Sequence, residues 1–150
     1  MGSGKSTIGK MLAEKLNFQV LDTDQLIEEH EGLSVKAIFA KHGEGYFRDC
    51  ETAVLKSFSA QNYVLATGGG IVTQRNAPIL KELGLIIQLT ADFDELYSRI
   101  KGSDRPLLQE NYKTLFIERQ VMYDSISQFT VNSTRLAKNE VVELIFVSLL

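Results

Sequence analysis

The run Gly2-Ser3-Gly4-Lys5-Ser6-Thr7 stands directly ahead of Ile8, Met11, Leu12 and Leu16, four apolar residues with helical spacing. A glycine loop that opens a helix turns successive backbone N–H groups toward one point, where the helix dipole adds positive charge. Gly4, Lys5 and Ser6 match the end of the pattern GxxxxGK[ST]. In that pattern the lysine charge meets the β and γ phosphates of a nucleotide and the hydroxyl meets magnesium. The pattern's first glycine would fall ahead of Met1, and so would the strand that feeds the loop. The expectation is a natural protein about ten residues longer, with Met1 internal, because a mid-sheet gap would leave buried backbone groups unpaired at about 1 to 3 kcal/mol each.

Outward from the loop, Phe18 to Leu21 reads as a buried strand. Asp24 is placed as the cap of a short helix, and Ser34 as the cap of another that carries Ile38 and Phe39. A longer helix follows with Phe47, Cys50, Val54, Leu55 and Phe58. Tyr63 to Ala66 and Leu85 to Leu89 are short apolar runs, each followed by loop signals and then a helical pattern. That alternation implies central, buried parallel strands joined by crossover helices. A helix from about Asp92 to Ile100, one through Arg119 and Met122, a strand at Phe129 to Val131 and a terminal helix with Val141, Val142, Ile145 and Leu149 complete the order. The polar stretch 101–112 is the expected lid loop within a single domain, 1–150.

Composition narrows the function. With 150 residues, 44% hydrophobic, 23% charged and only 2 Pro, the chain has the make-up of a folded domain. One cysteine, Cys50, excludes an internal disulfide, and a reducing cytoplasm fits. No apolar stretch reaches the length of a bilayer span, and no apolar segment opens the chain as in a signal peptide. A net charge of -3 argues against broad capture of nucleic acid, so small-molecule partners are expected, with no nucleic acid and no membrane. The arginines can still build a local positive pocket for an anionic substrate.

Asp22-Thr23-Asp24 falls at the carboxyl end of the first strand, where open α/β sheets place ligands. Two carboxylates one residue apart can divide the labour between a hydrated Mg²⁺ and an acceptor hydroxyl. Gly68-Gly69-Gly70 ends the Tyr63 strand and lets backbone N–H groups approach a ligand with no Cβ in the way. Arg48, Arg105 and Arg119 offer planar forks for carboxylate or phosphate oxygens.

The ordered set GSGKST, LDTD, Phe47-Arg48, GGG, Arg105-Pro106-Leu107-Leu108 and Glu118-Arg119 resembles the shikimate kinase family over essentially the whole chain. That resemblance implies a three-layer αβα P-loop kinase fold with a mostly parallel central sheet, here lacking its first strand. It implies phosphorylation of the 3-hydroxyl of shikimate by ATP with Mg²⁺, toward chorismate and the aromatic amino acids; the size of a self-contained fold fits a monomer. Gly2, Ser3, Gly4, Lys5, Ser6 and Thr7 would wrap the phosphates, Ser6 would hold the metal and Asp22 would reach it through water. Asp24 would grip shikimate hydroxyls and act as the base, while Arg48 and Arg119 would pair with its carboxylate. A backbone N–H of the Gly68, Gly69, Gly70 turn would meet another hydroxyl. Arg105 would reach the transferring phosphate, and Arg99 would lie against adenine. At Asn132 the family more often has an acid, so nucleotide preference is the less specified feature. Glu51, one turn beyond Arg48, reads as a weak exposed partner for it.

Three other readings share parts of the pattern. A kinase for another hydroxy acid, such as gluconate, explains the phosphate loop and aspartates but explains RPLL and the spaced arginines less well. A non-catalytic nucleotide-binding module sits badly with Lys5, Asp24 and Arg105. A nucleic-acid-binding P-loop protein lacks basic and aromatic clusters.

Overall fold

A computed structural model describes residues 3–59, 62–100 and 112–150. Gly4 takes the left-handed conformation, φ 80°, that glycine adopts without strain, and α1 (Lys5–Leu16) begins at the next residue. Asn17, φ 55°, ends it in the same conformation and donates its N–H to the Ala13 and Glu14 carbonyls. Strand β1 (Gln19–Asp22) lies one residue later than the sequence pattern suggests, because this turn consumes Phe18.

Asp22, not Asp24, caps α2 (Thr23–Glu31): its carboxylate accepts from the N–H groups of Asp24 and Gln25. The strand ends on the residue that starts the helix, which leaves Asp24 inside the first turn. Ser34 caps α3 (Val35–Ser57) as expected, its Oγ accepting from Ala37 N–H at 3.2 Å. Gly43, φ 82°, breaks the helical geometry inside α3, so the two helices read from sequence abut at a kink. Strand β2 (Tyr63–Ala66), α4 (Ala77–Leu83), β3 (Ile87–Thr90), α5 (Phe93–Ile100), α6 (Tyr112–Ile126), β4 (Phe129–Asn132) and α7 (Lys138–Ser148) follow.

Alternation along the strands builds three layers. Val64, Ile87, Leu89 and Val131 pack against Ile8 and Leu12 of α1 and Val141, Val142 and Ile145 of α7. On the other face Leu65 and Ile86 meet Leu55 of α3, Leu80 of α4, Ile126 of α6 and the fully buried Ile71. A third cluster, Ile27, Ile38 and Phe47, fixes α2 against α3.

All strand pairing is parallel: Asp22 stands opposite Ala66 in one pair and Thr90 opposite Asn132 in the other. Among the described residues β2 bonds only to β1 and β3 only to β4. A cavity of about 390 Å³ separates the pairs, lined by Val64, Leu65, Ile87 and Leu89 with Leu12 and Ile126 from the two helix layers. β2 and β3 thus face each other across the cavity at the middle of the molecule, and with that side open Tyr63, Val64 and Leu65 are half-buried instead of fully buried. Among the described residues no helix is long and apolar enough to cross a membrane.

Candidate active site

The carboxyl ends of β1 and β2, the start of α1 and the inner faces of α3 and α6 supply the residues singled out above. Ser6, in the first turn of α1, donates its hydroxyl to Asp22 Oδ2 at 2.8 Å. Asp22 Oδ1 meanwhile accepts Asp24 N–H at 3.0 Å, so this one carboxylate ties the phosphate loop to the helix that carries Asp24. A hydroxyl beside a carboxylate oxygen at the phosphate loop is a hard oxygen donor pair, and it fits Mg²⁺.

Asp24 faces the glycine turn. A Cβ added at Gly68 would stand 2.7 Å from Asp24 Oδ1 and 3.4 Å from Glu51 Oε1, and one added at Gly70 would stand 2.5 Å from Arg48 Nη1. Neither glycine has a positive φ, so what they supply is room for these side chains. Thr23, fully buried, anchors the same turn by accepting Gly68 N–H on Oγ1 at 3.0 Å.

Arg48 donates to Glu51 Oε2 at 2.7 Å and to Glu44 Oε1 at 2.9 Å. Glu51 is 0% exposed, so the partner read from sequence as exposed and weak is a buried one. Burial pulls the Arg48 guanidinium down, but the hydrogen bonds and charge of Glu51 and Glu44 outweigh it and hold the pKa above its ordinary value. Burial pushes the Glu51 carboxyl up, against the opposing pull of Arg48.

Arg119 projects from α6 into this region. Burial lowers its pKa, the nearby Tyr123 counteracts that, and the like charge of Arg48 lowers it further. Its Nη1 is buried with no hydrogen-bond partner among the described residues. Two guanidiniums within reach of each other's field, one with an unused donor, fit an anionic group placed between them.

The structure thus brings together Ser6, Asp22, Asp24, Arg48, Gly68, Gly70 and Arg119, with Lys5 at the start of the adjoining helix. Gly2, Arg105, the 101–111 part of the expected lid and the side chain of Arg99 lie outside the described residues. Asn132 accepts Thr134 N–H on its side-chain oxygen at 2.8 Å, and Thr134 Oγ1 accepts Asp92 N–H at 2.8 Å. It therefore shapes the turn after β4.

Sequence reasoning missed Thr23, Tyr123 and the pair Thr52 and Asn76. The Tyr123 hydroxyl donates to the Gly69 carbonyl. Thr52 Oγ1 donates to Asn76 Oδ1 at 2.7 Å, and Asn76 Nδ2 to the Ile71 carbonyl at 3.0 Å. The available signal was spacing: Thr52 and Tyr123 each follow a site arginine, Arg48 and Arg119, by one helical turn.

The family model described as shikimate kinase matches residues 1–149. A shikimate kinase of Persephonella marina is 46% identical over 129 residues, covering 82% of this chain and 79% of that protein. One from Sulfurihydrogenibium is 38% identical and covers 99% of this chain and 93% of that protein. Among solved structures, shikimate kinase from Acinetobacter baumannii in complex with shikimate superposes with a TM-score of 0.93 at 34% identity, covering 99% of this chain and 88% of that one. The Aquifex aeolicus enzyme gives 0.87 at 36% identity, covering 99% and 91%.

Proposed function

This chain belongs to the shikimate kinase family, and from that premise we propose that it transfers the terminal phosphoryl group of ATP to the 3-hydroxyl of shikimate, giving ADP and shikimate 3-phosphate. The observation that carries the reading is the convergence of the Asp24 carboxylate and the Arg48 guanidinium on one glycine turn beside the phosphate loop, with the buried Arg119 guanidinium within reach of the Arg48 charge. The substrate is an acid with several hydroxyls, and the site supplies matching groups for both parts.

In this reading the N–H groups at the start of α1 and the Lys5 ammonium hold the phosphates. Ser6 and, through water, Asp22 would hold Mg²⁺, which would supply charge neutralisation at the phosphate oxygens. Arg48 and Arg119 anchor the substrate carboxylate, and the buried Glu51 keeps the Arg48 fork oriented. Asp24 accepts the hydrogen bond of the attacking hydroxyl and takes its proton as the new bond to phosphorus forms. Phosphoryl transfer draws mainly on positioning and charge neutralisation, and Arg105 is assigned to the transferring phosphate on the strength of the RPLL resemblance.

A coupled ADP-release assay with shikimate, gluconate and other hydroxy acids tests the proposal. ADP release that depends on shikimate is the expected result. Turnover with another acid in its place would reassign the acceptor, and ATP binding with no turnover on any acid would favour a non-catalytic module.

A further inference from the structure

Three successive glycines form the most freely rotating backbone the site could have, yet a hydrogen-bond donor is useful only if it points one way. Each peptide plane of the turn is held by one bond. Gly68 N–H is held by Thr23 Oγ1 at 3.0 Å, and the Gly68 carbonyl accepts Ile71 N–H at 3.3 Å. The third plane, between Gly69 and Gly70, is gripped through its carbonyl by the Tyr123 hydroxyl. Among the described residues neither the Gly69 N–H nor the Gly70 N–H donates to another backbone group.

The peptide unit is planar and trans, so fixing the direction of a carbonyl fixes the N–H on the opposite side of the same plane. Donation to the carbonyl oxygen also polarises the unit and strengthens that N–H as a donor. The Gly70 end of this plane lies against Arg48, whose guanidinium a Cβ there would approach to 2.5 Å. Tyr123 is set by its helix: Arg119 stands one turn before it, and the buried Ile126 follows it into the core beside Ile71.

Resting on the reading of the acceptor site given above, we propose that Tyr123 is a positioning residue for shikimate: by holding the Gly69 carbonyl it aims the Gly70 N–H, beside Arg48, at one acceptor hydroxyl. Burial raises the pKa of the tyrosine, which keeps the hydroxyl a donor throughout the neutral range.

Tyr123→Phe removes only the oxygen, and steady-state kinetics on the full chain read the effect. The expected result is a KM for shikimate raised about tenfold, the net loss of one well-placed hydrogen bond, with KM for ATP unchanged and kcat within about threefold of the parent. Deoxy analogues of shikimate supply the second measurement. One analogue lacks the hydroxyl that meets Gly70, and parent and variant bind it alike; the others keep the tenfold difference. An unchanged shikimate KM in Tyr123→Phe, a parallel loss for ATP, or equal losses on every analogue overturns the proposal while the kinase reading stands. A parent chain with no shikimate-dependent ADP release overturns both.

Discussion

Arg48 Nη1 and Glu51 Oε2 stand 2.7 Å apart, one turn of α3 from each other, and only the arginine reaches the site surface, since Glu51 is wholly buried. The carboxyl is held above its ordinary value of 4.5 by burial. In the window from that value up to its folded pKa, the folded chain binds more protons than the unfolded one, so this group's contribution to stability falls as pH rises. Glu51→Gln removes the titration. The melting temperature of the parent minus that of the variant is expected to decrease as pH is raised through the window, and a pH-independent difference would refute the assignment.

Arg119 carries a buried guanidinium nitrogen with no acceptor among the described residues. Arg119→Ala removes that donor together with its charge, and the affinity for shikimate is expected to fall roughly a hundredfold, as for loss of one partner in a charge-assisted pair. Calorimetric titration with shikimate measures it. The variant retains ATP binding, and unchanged shikimate affinity would remove Arg119 from the carboxylate site.

Gly70→Ala places a methyl group 2.5 Å from the Arg48 fork. The guanidinium must move away from the turn, so shikimate binding weakens at least tenfold while folding stability changes by only about 1 to 3 kcal/mol, the usual range for overpacking. Denaturant melts and substrate titration separate the two effects. Parent-like affinity in a folded variant would show that Arg48 does not need its place against the turn.

The cavity between β2 and β3 is bordered by parallel strands of four residues each and closed above and below by apolar side chains. An extended run of about five apolar residues joined ahead of Met1 is expected to enter it and bond to both strands. A rise in melting temperature of roughly 5 °C or more, measured by calorimetry, is the expected outcome. No rise would show that the cavity does not receive a strand.

Local features of the fold were legible where one residue decides them. Tyr63–Ala66 reads as a strand from its apolar run, and Ser34 reads as a cap because a hydroxyl ahead of an amphipathic pattern has few other uses. Asp24 was misplaced as a cap because either aspartate of the Asp22-Thr23-Asp24 run satisfies the same local rule, and only the end of β1 decides between them. The candidate site shows the same division. Asp24, Arg48 and Arg119 carry chemistry that their side chains announce, whereas Thr23, Asn76 and Tyr123 act by holding a backbone more than forty residues away or one that folds back on them. Glu51 looked exposed because helical spacing gives its neighbour on α3 but not the core beneath it.

Among the described residues the strand pairs turn one polar backbone edge each toward a single cavity with no hydrogen bonds across it, between two layers of apolar side chains. Such edges are templates for any chain that presents an extended segment, including another copy of this one. One extended segment with apolar side chains would satisfy both surfaces of that seam at once, its backbone meeting the two strand edges and its side chains the helix layers.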